Sequence, residues 1–385
     1  VTAMKNANKR KLRMTGLAAV SAALVTTLPA AAHATAATTT PSSSAWRTYP
    51  VPVSGEATFS SVVAPSRDDA WAGGFTIGPT GFAPVMLHWN GRGWTKASVP
   101  TTSRIDELSA TGAKDVWAMT DDQPLHWNGT RWATVTLATV PNMNQGGALA
   151  ADGPRDAWYL GGTFDPETGN AENLIEEWNG RAWQILSLPK ALADGAGLAA
   201  IAADGPDDVW VAGTATAATG ALVLAHWNGH TWTILPAPST GFAYTNLSAL
   251  VVAGPKDAWL AGWGETQVTK GGADRVSLIL HWNGKKWALT PTPAGDGELD
   301  NIAVGAGGPW AVGDTYHESG LPYTAYVLRW TGTRWTKVAV PTVGDASISA
   351  VAAIPGGGVW AVGDTANDSS ETPDLTPLIA QHTGR

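Results

Sequence analysis

The sequence predicts an all-β chain folded as a ring of seven four-stranded blades, and three observations predict it. A motif such as "GPDDVWVAG" or "GPKDAWLAG" recurs seven times, centred on Trp71, Trp117, Trp158, Trp210, Trp259, Trp310 and Trp360. The spacing averages about 48 residues, the range of a four-stranded propeller blade. Between these copies stands a second motif, as in "HWNGKKWALTPTP", where Asn-Gly separates two tryptophans. The last copy is cut: the sequence ends on "LIAQHTGR", and its missing half, "AWRTYPVP", stands at Trp46.

Residues 1–34 read as a secretory signal peptide. Lys5, Lys9, Arg10, Lys11 and Arg13 form a basic head, followed by the apolar run "LAAVSAALVTTLPAAA" and the small-residue site "AHA" ending at Ala34. Residues 35–45 read as a linker and 46–385 as the propeller, so the expected location is secreted and extracellular. No later segment is apolar enough to enter a bilayer. Of 24 basic residues five lie in the head, leaving 19 against 32 acids. That acidic balance argues against nucleic acid, which needs a basic footprint. There is no cysteine, which excludes disulfides and thiolate metal centres. The domain must then draw its stability from a large core.

Within each unit four strands are expected in order. The first is small and apolar ("LSALVVA", "LAAIAA"), as suits strands crowded about one axis. A Gly-Pro-Lys/Asp-Asp turn follows, its aspartate expected to accept the turn's own N–H groups. The second strand carries "AWLAG", and a variable loop leads to the third, "SLILHW". Asn-Gly then turns the chain into the fourth, because both residues tolerate positive φ. For the cut unit, Trp46 supplies the fourth strand and the C-terminus the first three, which closes the ring without a free edge. Twenty of the 21 tryptophans fall on repeat positions, where they are expected to pack sheet on sheet.

These motifs resemble a family of secreted bacterial tryptophan-rich propeller repeats. More distantly the chain is similar to kelch and galactose-oxidase propellers and to those of photosystem assembly factors. The resemblance implies architecture and leaves activity open. Galactose-oxidase chemistry needs a cysteine, which is absent here.

His88, His126, His226, His281 and His382 are read as immediately preceding the third-strand tryptophan or its counterpart, a structural position. No HExxH or similar ligand spacing occurs, so no cofactor and no transition metal are expected. Carboxylate oxygens leave room for weak calcium binding. Sequence variation concentrates on the face carrying the second-to-third-strand and inter-blade loops, where binding residues usually sit. That face is acidic, while the opposite hairpin face carries Arg92, Arg131, Arg181, Lys285, Lys286 and Arg334. Trp263 is the one tryptophan outside the repeat, in the place held elsewhere by Phe75, Asp121, Gly162, Thr214, Asp314 and Asp364. With Phe242, Tyr244, Glu265, Asp314, Tyr316, His317 and Tyr323 it forms the candidate binding site: aromatic faces beside carboxylates, suited to sugar or peptide.

The expected function is a secreted, non-catalytic, monomeric module binding an extracellular carbohydrate, peptide or protein. One alternative is a carbohydrate-active hydrolase or lyase using acids of the same face. Sequence places no two of them at glycosidase separation, and no GxSxG elbow occurs. The other alternative is a structural envelope-associated protein using the hairpin face.

Overall fold

Alternating strands and Asn-Gly hairpins build seven separate antiparallel sheets of four strands each. Blade one runs, innermost strand first, through Ala57–Ser66, Asp69–Gly78, Gly81–Trp89 and Trp94–Lys96. Blades two to six repeat that order. The chain is thus a seven-bladed β-propeller. The computed structural model describes residues 45–384, apart from 80, 141–142, 217–219, 266–274, 296, 316–323, 343–344, 367–374 and the side chains of 144–146. Residues 1–44, which include the expected signal peptide, lie outside the described residues. One short helix, Lys190–Ala193, interrupts the all-strand pattern before blade four, with Leu192 buried. Among the described residues no helix is long and apolar enough to cross a membrane.

Blade seven is completed as the cut motif requires. Asp345–Ala353, Val359–Ala366 and Leu375–His382 are joined by Trp46–Thr48 as the outer strand. Trp46 pairs His382 and Thr48 pairs Ala380, and the Tyr49 hydroxyl donates to Gln381 Oε1 at 2.7 Å. The register corrects one expectation. His382 does not precede the third-strand tryptophan position; it occupies it, facing Trp46 as Trp89 faces Trp94. Gln381 takes the place of the other histidines, opposite Trp360.

Those other histidines are structural. His88 stacks on Trp71 with ring centroids 4.1 Å apart, and its Nε2 lies 2.8 Å from Asp69 Oδ1. His126–Asp115, His226–Asp208 and His281–Asp257 repeat the arrangement at 2.6–2.9 Å. Here a second expectation changes: the turn aspartate holds the histidine, and in blades four and five also the tryptophan Nε1–H, at 2.6 and 2.7 Å. The hairpins of blades one to five are held by asparagine instead. Asn283 Oδ1 accepts the N–H groups of Lys285 and Lys286, both at 3.1 Å.

The core lies between blades, not within them. At six of the seven seams a second-strand tryptophan meets the fourth-strand tryptophan of the next blade edge-on, four of them being Trp71 with Trp132, Trp117 with Trp183, Trp210 with Trp287, and Trp259 with Trp335. Trp310 with Trp46 and Trp360 with Trp94 fasten both flanks of the closing blade, at 6.0 and 5.1 Å. Edge-to-face contact lets the positive ring edge meet the negative face, and interdigitated indoles exclude water along each seam. Between blades three and four the equivalent Trp232 is less buried than its counterparts.

Candidate functional site

Every inner strand carries a bulge at the same place. The register slips between Phe59 and Ser61, Ile105 and Glu107, Asn144 and Ala148, Leu198 and Ala200, Leu247 and Ala249, Leu299 and Asn301, and Ile348 and Ala350. The facing second strand has a glycine there in most blades. A Cβ on Gly313 would lie 2.0 Å from the Glu298 carbonyl oxygen, and one on Gly363 2.1 Å from that of Ser347. At those two positions only a residue without a side chain admits so close a backbone approach, while blade two makes its slip opposite Thr120. The bulge turns one extra residue of each strand toward the axis: Ser60, Asp106, Gly147, Ala199, Ser248, Asp300 and Ser349. All seven line one cavity of about 790 Å³.

This central funnel is polar and partly acidic. Asp106 lies 2.9 Å from Arg104 Nε, which itself reaches Asp121 through Nη2 at 3.0 Å. Burial raises the Asp106 carboxyl to about 6 against the pull of Arg104. Glu107 Oε2 accepts the Leu149 N–H of the next blade at 2.7 Å, and burial lifts this carboxyl to about 7. Ser61 and Asn301, at the same repeat position, accept Leu108 and Val351 N–H groups in the same way. Glu107 is therefore a blade-to-blade tie. Asp300 is exposed to the funnel, and desolvation by the funnel wall, with repulsion from Asp314 and Glu298, raises its carboxyl to about 7. Amide groups from Asn173 and Asn301, and the half-exposed ring of Phe164, complete the lining.

The residues singled out from sequence are brought together only in part. Tyr244, Trp263 and Glu265 share the upper edge of blade five, with Tyr244 opposite Glu265 in the ladder. The Tyr244 and Trp263 rings are 5.5 Å apart, and Arg275 Cζ sits 4.2 Å over the Trp263 ring. Arg275 also reaches Glu265 at 3.2 Å and Glu298 of blade six at 2.6 Å. Trp263 thus joins a blade-five to blade-six clasp while staying half-buried. Phe242 turns away from this shelf. It packs into the blade-four to blade-five core, over Gly264, where a Cβ would stand 2.1 Å from its ring. Asp314 faces blade seven, accepting the Ser347 hydroxyl at 2.8 Å, and burial raises it to about 6. Tyr316, His317 and Tyr323 lie outside the described residues. Among the described residues no group of three or more His, Asp or Glu side chains is placed to hold a metal ion.

The bulge ring was missed in sequence because its residues share no chemical type. Its one sequence sign is the glycine three residues after the second-strand tryptophan, as in Trp310 to Gly313.

Architecture defines the class: a seven-bladed propeller with a funnel on the variable-loop face. No family model and no curated protein matches the chain. Among solved structures it is similar to YCF48 from Cyanidioschyzon merolae, 12% identical over 88% of this chain and 99% of that chain, with a TM-score of 0.54. YCF48 bound to D1 peptide is 13% identical over 89% and 97%, with a TM-score of 0.54. An ulvan lyase, a polysaccharide lyase bound to a GlcA(1-4)Rha3S repeat, is 11% identical over 86% and 95%, with a TM-score of 0.53. At such identities the likeness is one of fold.

Proposed function

We propose that this chain is a secreted binding module of the tryptophan-rich propeller repeat kind, and that its variable-loop face takes an extracellular carbohydrate in the central funnel. One observation carries the reading: the ring of bulge residues opens a cavity of about 790 Å³ at the axis. Its hydroxyl, amide and carboxyl groups, with an aromatic ring at the edge, are what polyol recognition uses. Propellers of this shape are found with a peptide and with a polysaccharide bound, so the choice rests on the funnel's own chemistry. The Tyr244–Trp263 shelf is a second stacking surface on the same face. A screen of the purified protein against glycans, cell-wall polymers and peptides tests this, followed by titration of Asp300→Asn and Asn301→Ala. Glycan affinity measured at about pH 8.5, above the Asp300 value of about 7, that falls at least about tenfold in Asp300→Asn without loss of folding supports the reading, because charged acceptors make the stronger hydrogen bonds. Failure of every glycan to bind, or binding indifferent to both substitutions, refutes it.

A second reading, a carbohydrate-active hydrolase or lyase, is favoured by one observation. Asp300 has no hydrogen-bond partner among the described residues, and its carboxyl at about 7 holds a proton near neutral pH, as a general acid must. Incubation with the polysaccharides that bind, with assay of new reducing ends and unsaturated ends, separates the two. Turnover abolished in Asp300→Asn establishes the enzyme, and intact polymer after long incubation leaves the binding module.

A further inference from the structure

Blade two breaks the repeat. Its second strand ends at Thr120, which stands where the other blades have glycine, and its third strand is only Leu125–Trp127. The inner strand keeps its register slip opposite Thr120, and the ladder stops at that pair. The Thr120 hydroxyl accepts the N–H groups of Asp122 and Gln123, at 3.2 and 3.1 Å, and donates to Gln123 O at 2.8 Å. The result is a short, tied turn and a missing upper edge. Residues 135–140 cross beside the gap, leaving a crevice of about 370 Å³ against blade three.

Blade three breaks the repeat at the same place. Two residues before the third-strand tryptophan, or its His382 counterpart, the other blades carry Leu87, Leu125, Ala225, Leu280, Leu328 and Ala380, all fully buried. Blade three carries Glu176, also fully buried, directly opposite Tyr159. Glu176 Oε2 accepts the Ala138 N–H at 2.7 Å, and its Oε1 has no hydrogen-bond partner. A carboxyl costs stability where leucine serves elsewhere. Positions that break a fold's own rule are where functional sites are found. Ala138 and Tyr159, the two residues Glu176 meets, both line the crevice.

We propose that this crevice binds a small hydrophobic amine, its apolar body against Met119, Leu137, Val140, Met143 and Tyr159 and its ammonium group at Asp122. Glu176 is the positioning residue, holding the Leu137–Val140 wall through Ala138. The volume falls within the range of small-molecule sites, which are mostly apolar with a few placed polar groups. Methionine thioethers adapt to varied apolar shapes. The acidic loop face draws cations and repels anions. The site lies apart from the central funnel and stands or falls independently of the reading above.

The test uses the whole protein with phenethylamine, 2-phenylethanol and 3-phenylpropionate as probes, read by saturation-transfer NMR and calorimetric titration. Phenethylamine is expected to bind saturably, at least about tenfold tighter than the alcohol or the acid. Asp122→Asn is expected to erase that preference and leave the melting temperature in place. Glu176→Leu, which restores the residue type of the other blades, is expected to raise the melting temperature while weakening the amine at least about fivefold. A merely structural glutamate cannot give that split. Binding of none of the probes, preference for the acid, or amine affinity indifferent to either substitution overturns the proposal.

Discussion

Replacing Trp46 by alanine tests whether ring closure depends on the N-terminal strand. Trp46 is 7% exposed, stands edge-on to Trp310 at 6.0 Å, and meets the His382 ring at 5.1 Å. A buried indole removes about 150–250 Å² from water, and at about 25 cal/mol per Å² that is about 4–6 kcal/mol. Large-to-alanine changes in cores cost about 3–5 kcal/mol, so about 4 is the working figure. For a domain of this size each kcal/mol moves the melting temperature by about 2–4 °C, which predicts a fall of about 10 °C. Trp232→Ala is the internal control. That indole is less buried and has no second-strand tryptophan against it among the described ring pairs, so a loss of about 1–2 kcal/mol is expected. Deleting residues 35–53 removes Trp46 together with Tyr49, Val51 and Val53, which pack on the blade-one to blade-seven core. The deletion should cost more than Trp46→Ala. Calorimetric melts of the four proteins decide the matter. A Trp46→Ala or deletion protein that melts with the parent refutes the closure argument.

Three further outcomes follow from the site. Asp106, Glu107, Asp300 and Asp314 all hold protons more tightly in the fold than unfolded, so the native state binds the extra protons between about pH 4 and 7. Their effect is to lower stability as pH rises through that window, and the melting temperature at pH 5 should exceed that at pH 8. His382, lowered chiefly by burial, acts with the opposite sign, losing stability as pH falls through its folded value, but Asp152, Asp156, Glu176, Glu177 and Asp364 are raised like the four and act with them. A melt that is flat or rises from pH 5 to 8 contradicts the assignment. Trp263→Ala should lower stability by about 1–2 kcal/mol, since its ring is half-exposed, and Trp210→Ala by about 3–5; equal losses would make Trp263 ordinary core. Gly363→Ala places a Cβ against the Ser347 carbonyl oxygen and should destabilise by about 2 kcal/mol or more, where an ordinary exposed strand glycine tolerates alanine. Parent-like stability would show that the bulge does not require that glycine.

Blade number, tryptophan positions and the split seventh blade were legible because each is periodic, and a period survives any ignorance of packing partners. Individual directions were not. Phe242 and Tyr244 are two residues apart, yet Phe242 drops into space left by Gly264 while Tyr244 meets Trp263. Trp263 and Asp314 share a repeat position, yet one stacks under Arg275 and the other turns to Ser347 of the next blade. Such choices depend on neighbours from other blades, which one unit's sequence does not contain. Glu176 was open to view in "IEEWNG" beside "LILHWNG", since a charge at an otherwise aliphatic repeat position needs only the units laid over one another.

The pairing of Trp46 with His382 also sets an order of events. A ribosome makes Trp46 long before the strand it must join, so this segment is made before all seven inner strands and before its partner Leu375–His382. Blades one to six can each form their hairpins locally, within a few microseconds of becoming available. The seventh cannot complete its ladder until Leu375–His382 has been made, and joining strands so distant in sequence carries a larger loop-closure entropy than any hairpin within a blade. Closure of the ring is therefore timed by Leu375–His382 and completed by Trp46–Thr48.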